Sequence, residues 1–226
     1  NSAHGRLRDY DTFGIEPRLR LGWTAFGLPS ELNAGVRAHW ESQERRQINA
    51  TSPTGRTGTL AEDQRRETRG HSGFVSNRFE LGALAIVPAV RVEHVEYERR
   101  NDLNGASGAD GITEVIPGLG FNYRIDERHS VFAGAHKGFA PPRAEDIIDG
   151  NGGNVEVDAE DSRNLELGWR AELAPGNSIE ATVFRNHFLS QIVVGSIAGG
   201  NTPLAEGETL HQGFEFSGMF SRDGWL

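Results

Sequence analysis

Hydrophobic and polar residues alternate with a period of two along most of the chain, the mark of strands with two different faces. Phe13, Ile15, Pro17, Leu19, Leu21 and Trp23 fall on one face, and Gly14, Glu16, Arg18, Arg20 and Gly22 on the other. Leu32, Ala34, Val36, Ala38 and Trp40 repeat the pattern against Asn33, Gly35, Arg37, His39 and Glu41. Further rows run through Leu84 to Val92, Val115 to Tyr123 and Leu165 to Leu173, and a last one sets Phe214, Phe216 and Phe220 against Glu215 and Ser217. About nine such segments are predicted, most of them near or above the ~9–11 residues of a tilted membrane-crossing strand. Ordinary globular strands run about 5–6 residues.

The links between segments differ in a regular way. Short turns are predicted at Gly27-Leu28-Pro29-Ser30, Gly82-Ala83, Asp126-Glu127-Arg128 and Ala174-Pro175-Gly176-Asn177. Long polar links are predicted from Gln47 to Ser72, Arg99 to Gly111, Ala140 to Asp161 and Gly195 to Glu208. Strict alternation of short and long connections is how an antiparallel up-and-down transmembrane β-barrel is built, with short turns on one side of the membrane and longer loops on the other. The predicted fold class is therefore all-β, a partial barrel of about nine strands filling residues 1–226. An odd number does not close a bacterial barrel, so the expectation is a piece of a larger one. Trp23, Trp40, Trp169 and Trp225 fall near strand ends, where an interfacial aromatic girdle would sit.

Composition narrows the picture without deciding it. The longest apolar run, Leu81 to Val90, contains Gly82 and Pro88 and is too short for a helical span, which needs about 20 residues. The 29 glycines favour turn-rich β structure, and the absence of cysteine removes disulfides and thiolate metal sites. A net charge of -9 argues against nucleic acid as a partner. The eight histidines show no metal-ligand spacing. No nucleophile elbow, phosphate-cradling loop or paired-carboxylate site is present, so no enzymatic activity and no resident cofactor are expected.

Several segments resemble TonB-dependent receptors. Ser130 to Arg143 resembles the family's strand ending in a small–basic–Gly–Phe–x–Pro–Pro stretch, here Gly138, Phe139, Pro141, Pro142 and Arg143. Asn164-Leu165-Glu166-Leu167-Gly168 is similar to its "Glu-Leu-Gly" strand, although Ala159 stands upstream where proline is usual. His211-Gln212-Gly213-Phe214-Glu215 is similar to the "Gly–hydrophobic–Glu" strand, and Pro88 to Glu93 to "Pro-Gly-x-Arg-x-Glu", with Ala89 in place of glycine but Arg91 and Glu93 present. The resemblance runs in order from Phe13 to Phe220 and is strongest to the ferric dicitrate type.

It implies a barrel of about 22 strands with a plugged lumen, in the outer membrane of a Gram-negative bacterium. The implied function is active import of a ferric chelate, ferric citrate or siderophore-like, energised by the TonB system, with iron entering only as part of the cargo. The implied partners are the chelate, the receptor's own plug, TonB, and outer-membrane lipid and lipopolysaccharide. A passive porin and a soluble β-sandwich are the alternatives.

An anionic chelate calls for arginines, whose planar fork matches carboxylates. Arg45, Arg46, Arg56, Arg65, Arg66 and Arg69 in and beside the first long link are the candidates. The interleaved Glu62, Asp63 and Glu67 fit better a solvated or lipopolysaccharide-facing charge run. By the alternation Arg91, Glu93, Glu166 and Glu215 point inward as lumen and plug contacts, with Arg91 and Arg170 as partners for the glutamates.

Overall fold

The computed structural model describes residues 3–55, 57–193, 204–205 and 207–221. Its strands are β1 (Ala3–Ile15), β2 (Arg18–Ala25), β3 (Leu28–Ala50), β4 (Thr59–Leu81), β5 (Leu84–Asn101), β6 (Ala106–Arg124), β7 (His129–Ala140), β8 (Glu160–Ala174), β9 (Asn177–Ser190), the short β10 (Ile192–Val193) and β11 (Leu204–Ala205), and β12 (Thr209–Met219). A single helical turn, α1 (Ala144–Ile147), lies between β7 and β8. The sheet runs β1-β3-β4-β5-β6-β7-β8-β9-β12 with every neighbouring pair antiparallel, and β2 also pairs with β3.

Strands β1 and β2 share one place in that order. β1 pairs with Ala38–Ala50 of β3, and β2 with Leu28–Gly35. The predicted continuous row from Phe13 to Trp23 is interrupted at Glu16-Pro17 because proline has no N–H for the ladder. The Pro17 carbonyl still accepts the Val36 N–H at 3.2 Å. The sheet thus has nine positions across, as the periodicity predicts.

Register aligns the apolar rows on one face. Phe13 lies opposite Trp40, Leu21 opposite Leu32, Val75 opposite Val90, Ala133 opposite Leu167 and Val183 opposite Phe214. No described element covers this face: Phe13 is 67% exposed, Leu167 52% and Phe214 64%. An uncovered apolar face of this extent does not suit a soluble monomer. A β-sandwich would have buried these rows, so that reading is set aside. Trp40 packs against Phe13 in a tilted arrangement with centroids 5.7 Å apart, and the Trp23 indole N–H donates to Asn77 at 2.8 Å. Trp225 lies outside the described residues.

Two of the predicted long links are not loops. Residues 47–72 and 99–111 belong largely to strands, leaving 51–55, 57–58 and 102–105 as connections among the described residues. β3 and β4 each run 23 residues, about twice what a bilayer crossing needs. Apolar alternation reports the bilayer rather than the strand. Above Trp40 of β3 the outward positions become Ser42, Glu44 and Arg46, while backbone pairing with β4 continues to Asn49. The sheet therefore rises out of the lipid zone as a two-sided polar wall, and the sequence signal for a strand fades there. The link 141–159 is a true loop. The fourth predicted link falls mostly outside the described residues.

On the polar face three phenylalanines lie over glycines directly opposite them: Phe74 over Gly35, Phe132 over Gly168 and Phe184 over Gly213. A Cβ on Gly35 would come 2.6 Å from the Phe74 ring, one on Gly213 2.9 Å from Phe184, and one on Gly168 would overlap Phe132. The motif glycines Gly168 and Gly213 are thus seats for aromatic rings, which fixes the inner surface without narrowing it.

Candidate functional site

The loop between β7 and β8 folds back onto the polar face and builds a small core there. Pro141 and Pro142 end β7, since neither can donate to the ladder. Arg143 then caps α1: its backbone N–H donates to Asp146 at 3.2 Å, and its guanidinium grips the same carboxylate twice at 2.9 Å. Ile147, Ile148 and Val157 pack with Ala144 against Val95 and Tyr97 of β5. Ile148 is fully buried. Gly108 of β6 leaves room for it, because a Cβ there would come 2.7 Å from the Ile148 side chain. Asn101 donates to the Gly150 carbonyl at 2.9 Å, tying the loop tip to the wall.

Asp149 holds that tip in shape. Its carboxylate accepts the N–H groups of Asn151 and Gly153, each at 2.8 Å, and these bonds hold its pKa below the ordinary aspartate value. A depressed folded-state pKa stabilises the turn fully above about pH 4 and the effect is lost as pH falls through the lower folded value. Hydrogen exchange at Asn151 and Gly153, corrected for intrinsic rates, is expected to accelerate below about pH 4. Asp149→Asn should abolish that step.

Between the docked loop and the sheet lies a cavity of about 800 Å³. Arg8 and Tyr10 of β1, Arg37, His39, Glu41, Gln43 and Arg45 of β3, and Arg66 and Thr68 of β4 form one side. Glu93 and Tyr97 of β5, with Phe139, Pro141, Pro142, Arg143 and Glu145, form the other. Five arginines face three glutamates, a local positive excess in a chain of net charge -9.

The candidate arginines divide by strand parity. Arg45 and Arg66 point into the cavity. Arg46, Arg65 and Arg69 lie on the opposite face of the same strands, where register places them across from Asp63, Glu44 and Trp40. There Arg46 pairs with Asp63 at 3.1 Å, Arg65 with Glu67 at 3.5 Å, and Arg69 with Glu67 at 3.4 Å. The expectation of one arginine-rich capture loop is thus corrected: the segment is strand, and alternation sends neighbouring arginines to opposite sides. Arg56 lies outside the described residues.

The inward motif residues behave unevenly. Arg91 and Glu93 form an ion pair two residues apart on one strand, and Arg91 also donates to Ser72 at 2.7 Å. Arg170 pairs with Glu180 at 2.6 Å, not with Glu166. Glu166 lies over Gly134, and Glu215 is opposite Thr182; neither has an ion-pair partner among the described residues. A Cβ on Gly138 would meet the Ser162 hydroxyl and the Asn164 amide.

Sequence reading missed Arg8, Tyr97, Arg99 and Glu145 as site residues. Arg8 precedes the first recognised apolar row, and the others sit where both faces are wet and periodicity gives no signal. Arg8 and Arg37 stand out because neither makes a hydrogen bond or close ion pair with a described residue. Arg37 contributes only a longer-range attraction to Glu16.

An antiparallel sheet of long strands, oily and unpartnered on one face and charged on the other, defines a wall segment of an outer-membrane transmembrane β-barrel. The chain belongs to the TonB-dependent receptors: the family model "TonB dependent receptor-like, beta-barrel" matches residues 1–226. Among solved structures it is similar to the unliganded ferric citrate transporter FecA, at 24% identity and a TM-score of 0.82, covering 95% of this chain and 32% of that one. It is also similar to the ferric yersiniabactin uptake receptor FyuA from Yersinia pestis (18%, TM-score 0.70, 96% and 33%). A third is BauA, the ferric preacinetobactin receptor from Acinetobacter baumannii (12%, TM-score 0.69, 95% and 34%). The chain spans about a third of the length of these structures. Family barrels are outer-membrane proteins of Gram-negative bacteria, so the polar face is the lumenal one and the long-loop end faces outward.

Proposed function

We propose that this wall belongs to an active importer of an anionic ferric chelate, with a carboxylate-rich complex such as ferric citrate as the cargo class. The observation that carries the reading is the positive cavity at the outer mouth, in which Arg8 and Arg37 are exposed and uncommitted. A guanidinium without a carboxylate partner keeps its fork free for one on a ligand. Energy would come from the TonB system acting through a plug, and iron travels as cargo rather than as a resident metal. Lipid covers the apolar rows, and lipopolysaccharide faces the outward Arg46, Arg65 and Arg69. A passive porin has no specific feature in its favour.

The test is ferric citrate affinity of the full receptor. Arg8→Ala and Arg37→Ala are each expected to weaken binding by about 10–100-fold, the usual worth of a charge-assisted hydrogen bond. Arg65→Ala with Arg69→Ala should change nothing, since both point away from the lumen. Unaltered affinity in the Arg8 and Arg37 variants would remove the proposal.

A further inference from the structure

We infer that Arg45 and Arg66 form a carboxylate-binding subsite which the chain's own Glu145 fills, and that a carboxylate of the arriving chelate displaces it. The inference rests on the anionic-cargo reading and adds to it a specific internal competitor. Glu145 lies with one oxygen 2.6 Å from Arg66 Nη1 and the other 4.0 Å from Arg45 Nη1, so one carboxylate spans two guanidiniums of the wall, with Arg143 Nη1 of its own loop 3.7 Å from the second oxygen. These cations come from adjacent strands of the lumen wall, and the carboxylate comes from the loop docked over them.

The seat is built for a better guest than the one it holds. Arg66 is 6% exposed, yet its Nε–H is buried without a partner, because Glu145 meets the guanidinium end-on. A free carboxylate can instead take Nε and Nη side by side, the stronger two-bond arrangement. Tyr97, 3% exposed and lining the same cavity, also has a hydroxyl without a partner. Buried donors left unpaired are rare in folded proteins and call for a reason. Here both are ready to serve an anion larger than a glutamate side chain.

Charge points the same way. Arg99 lies directly opposite Arg66 in register, so three guanidiniums gather against the carboxylates of Glu62 and Glu145. If Glu145 leaves, another anion must take its place, and a polycarboxylate chelate supplies one. The turn survives this exchange, since its cap is the two short Arg143–Asp146 bonds at 2.9 Å and not the longer Arg143–Glu145 contact at 3.7 Å. Release of Glu145 therefore loosens the loop from the wall without unfolding α1, and couples occupancy of the mouth to loop position.

The test uses the purified full receptor with ferric citrate as the probe. Glu145→Gln removes the competitor's charge at constant shape and is expected to tighten binding about fivefold to tenfold. It should also raise hydrogen exchange across residues 144–157 without ligand, and ferric citrate should raise exchange there in the wild type. Adding Arg66→Ala to Glu145→Gln should erase the gain. Should Glu145→Gln fold poorly, Glu145→Asp, which withdraws the carboxylate by one methylene, must move affinity in the same direction. Wild-type binding with unchanged or weaker affinity in these variants overturns the subsite alone. A wild type blind to ferric citrate overturns the anionic-cargo reading, and the subsite with it.

Discussion

Ile148→Asp is expected to strip the β7–β8 loop from the lumen wall while leaving the sheet intact. Ile148 is fully buried among Val95, Tyr97, Ile147 and Val157. Truncating such a residue costs about 2–5 kcal/mol, and an unpaired carboxylate in its place costs several kcal/mol more. A loop held by one small apolar cluster and a few polar ties escapes by undocking rather than bearing that penalty. Hydrogen exchange of the full receptor should show residues 144–157 losing their protection, with β4, β5 and β6 unchanged. Gly108→Val approaches the same joint from the wall side and should give the same pattern, because its side chain would occupy the space Ile148 fills. Retained protection in both variants would show that the loop is held by something other than this cluster.

The second large effect is expected on the opposite face. Leu167 lies in the middle of β8, between Ala133 and Val183 on its neighbours, and is half exposed, with no described element over it. If lipid is what covers it, Leu167→Arg should destabilise the full receptor by about 2–4 kcal/mol in vesicles, the usual penalty near the bilayer centre. Glu166→Arg, one residue away on the lumenal face, should shift stability by less than about 0.5 kcal/mol. Urea unfolding in lipid vesicles compares the two directly. Equal effects would mean that the two faces see the same medium.

The fold was legible where the bilayer wrote it. Rows such as Leu32 to Trp40 and Leu165 to Leu173 alternate because one side meets acyl chains and the other meets water, and parity assigned their faces, while the pairing of particular residues across strands was not legible. Above Trp40 that contrast ends. Arg65 and Arg66 therefore read as part of a charged loop flanked by Arg45 and Arg46, when all four are alternate teeth of two paired strands. The break at Pro17 was visible in principle, since an imino nitrogen cannot serve the ladder. The site was legible only in its chemistry: arginines were the right residue type, and Arg45 and Arg66 lie at the mouth. Which of them are free depends on long-range pairs such as Arg66 with Glu145, 79 positions apart. No local pattern encodes such a pair. Tyr97 was hidden for the same reason, its burial being set by a loop that returns from β7.

The central claim is most directly tested by a spin-label scan along β8. The chain has no cysteine, so single cysteines at positions 164 to 169 of an otherwise cysteine-free receptor report one site each. In vesicles, labels at 165, 167 and 169 should collide with dissolved oxygen and be shielded from a water-soluble nickel chelate, while those at 164, 166 and 168 show the reverse. Water access that is uniform along the strand, or labels at 165 and 167 shielded from both reagents, would contradict it.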